Sequence, residues 1–213
     1  MKIKKITLSE NKTNCYIVFE NSIAFIIDPA SDGKIIEDYL RKNELQLADI
    51  FLTHGHQDHI GAVDYLYSIY NCKIHGHYLD KDLFEASDPT KLINLPSFKG
   101  IKINSPISYF GSDFYSFEVD GITIDAILTP GHTEGSVTYV LRNYLRVFSG
   151  DTLFKGNIGR VDFPTSSPEK MKKSLEIYKT LVPDCKIYPG HGESTSLQEE
   201  LISNPYLLDK ESI

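Results

Sequence analysis

Hydrophobic and polar positions along the chain switch between two periods. Lys2 to Leu8 alternates, as a strand with one exposed face does. Cys15–Phe19 and Ile23–Ile27 are two apolar runs separated by Glu20-Asn21-Ser22, which reads as a hairpin, and Asp28-Pro29 ends the second strand. Gly33 to Asn43 then carries Ile35, Ile36, Tyr39 and Leu40 at helical spacing. Ala48 to Leu52 is a short strand. His59 to Tyr70, with Ile60, Val63, Leu66, Tyr67 and Tyr70 on one side, predicts a continuous helix.

The pattern then repeats. Phe114–Val119 and Gly121–Leu128 flank the turn dipeptide Asp120-Gly121. Ser136–Leu141 and Tyr144–Phe148 predict two further strands, and Cys185–Tyr188 a last one. Ser167 as cap with Pro168 in the first position opens a helix running to Leu181, and Ser196–Ser203 predicts a short terminal helix. The Pro-, Ser- and Lys-rich stretch from Asp88 to Gly111 reads as a loop over one surface, in the manner of a lid. Strands, then helices, then the same again imply an α/β fold of two sheets packed together with helices outside.

Composition narrows the class. The chain has 213 residues, 41% hydrophobic and 24% charged, which predicts one globular domain. A formal net charge of -7 with no long basic run argues against a nucleic-acid partner. Cys15, Cys72 and Cys185 are scattered and odd in number, so no disulfide framework is implied and a reducing compartment fits; Cys15 and Cys185 sit in apolar runs and read as buried inert thiols. No apolar run approaches the roughly 18 residues of a membrane span, and Met1 to Ile6 lacks the apolar stretch of a signal peptide. A cytoplasmic protein with no membrane partner is expected.

Chemistry concentrates after the strand at Ile50-Phe51-Leu52. There Thr53-His54-Gly55-His56-Gln57-Asp58-His59 places three of the seven histidines and one aspartate on a short strand-to-helix connection. Imidazole nitrogen and carboxylate oxygen suit zinc and other borderline cations. Solvated loop histidines or a tag remnant would be neither internal nor mixed with a carboxylate. Three further loops each place a polar residue beside glycine at a strand end: Pro130-Gly131-His132, Ser149-Gly150-Asp151 and Pro189-Gly190-His191. Singly each reads as a turn; together with the histidine loop they read as a metal site. His75 and His77 read as surface histidines or supports of the ligands. Asp28 reads equally as a brace for the metal loop or as a turn cap.

His54-x-His56-x-Asp58-His59, followed by His132, Asp151 and His191, resembles the metallo-β-lactamase-fold superfamily over nearly the whole chain. Gly131–Ser136, Gly150–Phe154 and Gly156–Phe163 are similar to its glyoxalase II (hydroxyacylglutathione hydrolase-like) branch. The resemblance implies an αββα sandwich. It assigns His54, His56 and His132 to one cation and Asp58, His59 and His191 to a second, with Asp151 bridging. Two divalent cations are implied, zinc first, with iron or manganese accepted by the same donors. The implied reaction is attack of a metal-bound hydroxide on an acyl thioester such as S-lactoylglutathione, with Asp58 orienting the nucleophile or passing its proton.

The family pattern is not complete. Only 22 residues follow His191 (213 - 191), too few for the C-terminal helical extension of the long glyoxalase II enzymes. Gly192-Glu193-Ser194-Thr195 lacks their substrate-contacting tyrosine. Arg160 stands where they carry a substrate-binding lysine, and Asp162 replaces a nearby tyrosine. The chain therefore resembles the short hydrolases of this branch, with Arg160 as the substrate-binding cation. Alternatives are a persulfide dioxygenase-like mononuclear iron enzyme, which shares a stretch like Gly159–Phe163, and a hydrolase of another ester or lactone. A β-lactamase is disfavoured because several carry cysteine where this chain has Asp151. A metal-stabilised interaction module would fill its coordination and lack activity.

Overall fold

The computed structural model describes residues 1–93 and 101–208, and contacts divide the chain into two compact units. Part of the expected lid, residues 94–100, lies outside the described residues.

The first unit comprises Met1–Gly111 and Val119–Gly121. Its six-stranded sheet has the order β1 (Lys2–Leu8), β2 (Thr13–Glu20), β3 (Ile23–Ile27), β4 (Gln46–Phe51), β5 (Lys73–His77) and β6 (Ser108–Phe110). The hairpins pair antiparallel with Lys2 opposite Phe19 and Tyr16 opposite Ile27. From β3 to β6 the neighbours are parallel. Strand β1 is the edge, and Lys2, Lys4 and Lys5 line it, which discourages pairing with another chain. Strand β2 is buried along nearly its whole length, as an interior strand covered on both faces must be.

Helices α1 (Gly33–Lys42) and α3 (Val63–Tyr70) bury Ile36, Leu40, Val63 and Leu66 in the same apolar cluster as Ile17, Ile26 and Ile50. Each such side chain contributes roughly 1.5–3 kcal/mol of transfer free energy. The helix expected over His59–Tyr70 is broken in two, α2 (Gln57–Ile60) and α3. Gly61 passes so close to the Ala30 carbonyl that a Cβ there would lie 2.9 Å from it, and the Ala62 N–H donates to that same oxygen. A tertiary contact therefore overrides local periodicity. The stretch expected as loop from Asp88 to Gly111 also contains β6, which pairs with β5 from His75 opposite Ser108. Short α4 (Lys81–Phe84) follows a 3-10 turn at Tyr78–Asp80.

Because β3, β4 and β5 run in one direction, their C-terminal ends share one sheet edge. Asp28, the Thr53–His59 loop and Asp80 all emerge there. Strand ends on one edge are where open α/β sheets commonly place chemistry.

The second unit comprises Ser112–Glu118 and the chain from Ile122 onward. Its sheet contains β7 (Phe114–Val119), β8 (Ile122–Leu128), β9 (Val137–Leu141), β10 (Arg146–Gly150), β13 (Lys186–Pro189) and β14 (Thr195–Ser196), in spatial order β14-β13-β10-β9-β8-β7. β8–β9 and β9–β10 are antiparallel and β10–β13 is parallel, so β8, β10 and β13 also end on one edge. A two-stranded ribbon of β11 (Leu153–Phe154) and β12 (Asn157–Ile158) follows β10. Helix α5 (Pro168–Lys179) starts as expected: the Ser167 hydroxyl accepts from the Lys170 N–H and Pro168 occupies the first turn. Met171, Leu175 and Tyr178 bury against Val140, Val147 and Ile187. Helix α6 (Leu197–Ser203) is capped by Ser196. Among the described residues no helix is long and apolar enough to cross a membrane.

Candidate metal centre

The sequence-expected ligands divide between the units, and each set is organised within its own unit. In the first, Phe51 ends β4 and the chain turns through Thr53 into His54, His56 and His59, all buried. Asp28 is buried beside them. Its Oδ1 accepts from the Thr53 N–H at 2.8 Å, and its Oδ2 accepts from the Thr53 hydroxyl at 2.6 Å. His59 Nδ1 lies 2.8 Å from the same Oδ2. A carboxylate can only accept, so His59 carries its proton on Nδ1 and presents the lone pair of Nε2. The Thr53 hydroxyl proton is directed at Asp28, so at 3.0 Å from His54 Nδ1 its oxygen accepts, and His54 too presents Nε2. Fixing imidazole tautomers by a partner on the other nitrogen is how metal-binding histidines are oriented. Of the two readings of Asp28, the brace is the one realised. One of its oxygens lies within 4.8 Å of a ring nitrogen of His54 and of His59, yet both carboxylate oxygens are engaged by Thr53 and His59.

Two supports had no local signal in the sequence. The Thr13 hydroxyl donates to Asp58 Oδ2 at 2.8 Å, and the Asp58 Oδ2 lies 3.8 Å from His59 Nε2. Buried Asp80 accepts from the Gly55 N–H at 2.9 Å, anchoring the middle of the histidine loop to the turn after β5. Gly55 itself leaves no room for a side chain, since its Cβ would meet Leu83.

His75 and His77 are not surface residues. His75 lies 2.7 Å from Asp49 through Nε2 and stacks on Phe51, and His77 packs edge-on against Phe110. Both belong to the sheet interior.

In the second unit, β8 delivers His132, β10 delivers Asp151 and β13 delivers His191. Asp151 Oδ2 lies 3.4 Å from His132 Nε2 and 3.3 Å from His191 Nε2. Donor atoms bound tetrahedrally at about 2.0–2.1 Å to a zinc-like cation are themselves about 3.3 Å apart, so these spacings fit a metal. His132 Nδ1 donates to the Arg160 carbonyl at 2.8 Å, which again leaves Nε2 as the presented lone pair. Ser166 donates to the His132 carbonyl, and Ser174 of α5 donates to the Pro130 carbonyl. Gly131, at φ 148°, comes so close to Met171 that a Cβ would lie 2.5 Å from backbone. At Gly159 a Cβ would collide with the Asp151 carbonyl and approach His132 Nδ1 to 3.1 Å.

Arg160 contributes its backbone to this site; its side chain lies outward, 66% exposed. The guanidinium makes two bonds to Asp162, at 2.9 and 2.8 Å, and stacks 4.4 Å from the Phe163 ring centroid. That pairing holds the Asp162 carboxyl below its ordinary range.

The cysteines play no part in either set. All three are buried and free, and burial pushes each thiol up, Cys72 to about 11.

Both sets carry imidazole and carboxylate donors of the kind that hold divalent cations. Hydroxyacylglutathione hydrolase GloC from Haemophilus influenzae is 32% identical over 216 residues, covering 99% of this chain and 100% of that protein. BLEG-1 B3 metallo-beta-lactamase superposes with a TM-score of 0.89 at 29% identity, covering 97% and 99% of the two chains. TTHA1623 in a di-iron-bound form gives a TM-score of 0.83 at 29% identity, covering 96% and 100%. The expected α/β fold class is that of these proteins. The model of the Metallo-beta-lactamase superfamily matches residues 8–191, a span that contains every histidine and aspartate described above. The chain belongs to the metallo-β-lactamase superfamily.

Proposed function

We propose that this protein hydrolyses a small acyl thioester of the S-lactoylglutathione kind, using two divalent cations. His54, His56 and His132 would hold one, Asp58, His59 and His191 the other, with Asp151 shared. One observation supports this reading: a single oxygen of Asp151 stands 3.4 and 3.3 Å from imidazole nitrogens of two different loops, within reach of a cation held by either histidine. Zinc is the first expectation, and the di-iron form of a relative keeps iron in view.

Two bound dications lower the pKa of water and polarise a carbonyl oxygen. The chain's own residues do the rest. Asp58, held by the Thr13 hydroxyl, orients the attacking water and takes its proton. The water oxygen bonds to the carbonyl carbon, the carbon–sulfur bond breaks, and the thiolate leaves. Thiolate is a good leaving group, so a strong general acid is not required. Arg160 would meet a substrate carboxylate by exchanging its pairing with Asp162. The full-length similarity to a protein named hydroxyacylglutathione hydrolase supports a thioester, as does aspartate rather than cysteine at position 151.

The test is a panel of thioesters, a lactone and a cephalosporin run on metal-analysed protein, with oxygen uptake on glutathione persulfide as contrast. Thioester turnover with two cations per chain, falling at least about a hundredfold in His56→Ala, is expected. Oxygen uptake with one iron, or turnover of the cephalosporin alone, would overturn the proposal.

A further inference from the structure

Helix α6 carries a buried carboxylate that the proposed chemistry does not use. Glu200 is 1% exposed, yet both of its oxygens are engaged. Oε1 accepts from the Thr195 hydroxyl at 2.7 Å. Oε2 accepts from the Gly156 N–H at 2.8 Å and from Nδ2 of Asn204 at 2.9 Å. Asn204, fully buried at the end of α6, also reaches the carbonyls of Phe154 and Asn157 at 3.3 and 3.2 Å. The pair thus grips the turn of the β11–β12 ribbon by one N–H and two carbonyls. A buried carboxylate is costly unless its hydrogen bonds are met, and here three donors meet it. The ribbon held in this way packs against all three cation donors of the second unit. The Phe154 ring meets the His191 ring edge-on, with centroids 6.0 Å apart. Just past the ribbon, Gly159 lies against the Asp151 carbonyl and the Arg160 carbonyl accepts from His132 Nδ1. Through Thr195, Glu200 also holds the chain four residues beyond His191 (195 - 191), where β14 pairs with β13.

We propose that Glu200, with Asn204 and the ribbon, is the positioning residue for His132, Asp151 and His191. This rests on the reading of those three side chains as cation ligands. Glu200 touches neither substrate nor cation; it sets the spacing of the donors, and with it the affinity and geometry of the cations they bind. A carboxamide can stand in for it. In Glu200→Gln the remaining oxygen takes Gly156 and Asn204, while the NH2 group faces the Thr195 hydroxyl. That hydroxyl lies 3.1 Å from Glu199 Oε2, so it turns its proton there and accepts. Leucine at 200 offers no acceptor and releases the ribbon.

Cobalt(II) accepts the same donors as zinc, and its visible absorption band reports their geometry independently of turnover. Titration of the full chain gives both the affinities and the band. Glu200→Leu should weaken one cobalt affinity by about fivefold or more, approaching the roughly 10–100-fold cost of losing a direct partner of a ligand, and should change the band's shape. Glu200→Gln should keep both affinities within about twofold of the unaltered chain. Asn204→Ala leaves Glu200 on Gly156 and Thr195 and removes the hold on the ribbon carbonyls, so it should shift the band in the same direction. It carries the test where Glu200→Leu does not fold. Leu40→Ala, a core truncation in α1, should lower Tm and leave the band as it is. An unchanged band and affinities in Glu200→Leu and Asn204→Ala overturn the positioning role. So does a change that Leu40→Ala shares or that glutamine at 200 fails to prevent. Thioester turnover with cobalt binding indifferent to Glu200 would sink the positioning role alone; Glu200-dependent cobalt binding without thioester turnover would sink the hydrolase reading alone.

Discussion

Replacing Asp28 by asparagine changes one oxygen to an NH2 group and asks how much the metal site depends on its brace. The backbone at position 28 has φ 50°, a conformation that asparagine adopts readily, so main-chain geometry should persist. The hydrogen bonds cannot. Thr53 N–H points at Oδ1, while Thr53 Oγ1 and His59 Nδ1 both point at Oδ2. Whichever way the new amide lies, its NH2 meets a buried donor. If it faces Thr53 N–H, one buried N–H goes unmet, at about 1–3 kcal/mol of stability. If it faces His59, the imidazole escapes only by moving its proton to Nε2, the atom proposed to hold a cation. Loss of such a partner typically weakens metal binding about 10–100-fold. A competitive titration of zinc against a chromophoric chelator measures this. The variant should lose one tight-binding cation by that factor while the fold, read by circular dichroism, persists. Two cations bound with wild-type affinity would refute the bracing argument.

Two further outcomes follow from other parts of the chain. Glu37 is held down to about 2, first by the Tyr65 hydroxyl and then by Arg41. Its stabilising contribution is therefore complete above the unfolded carboxyl range near about 4.3 and fades as pH falls toward 2. Glu37→Gln should accordingly lower Tm at pH 7 and flatten its decline below pH 4; an unchanged acid limb would contradict this. Gly159→Ala forces a Cβ against the Asp151 carbonyl and His132 Nδ1, so it should destabilise by about 1–3 kcal/mol and weaken cation binding together. A variant with lower Tm but intact metal affinity would show that the crowding does not reach the ligands.

Much of this architecture was legible because local and tertiary signals agree. Strands β2, β3, β8 and β9 carry apolar runs bounded by turn residues, and Ser167-Pro168 marks the start of α5 without ambiguity. The histidine loop and the three glycine-flanked loops were legible for a different reason. Metal donors are chemically distinctive, and glycine is needed where the chain turns sharply over a strand end.

What escaped depends on partners distant in sequence. The break between α2 and α3 comes from the Ala30 carbonyl, 31 positions before Gly61 (61 - 30), and no helical period records that. Thr13 reads as an ordinary strand residue until β2 places it 2.8 Å from Asp58. Asp80 sits in a three-residue 3-10 turn too short to recognise, and its hold on the histidine loop runs through Gly55, 25 positions away. Strand β6 is three residues long and completes its pairing with β5 from within a polar stretch. Arg160 was legible as a cation, yet its backbone carbonyl, which orients His132, carries no side-chain signature at all.

Anomalous diffraction from zinc-loaded crystals bears most directly on the central claim. Two peaks per chain are expected, with Asp151 Oδ2 within about 2.2 Å of both and Nε2 of His132 and His191 each on a different ion. A single ion bound by the histidine loop, with Asp151 touching no metal, would contradict it.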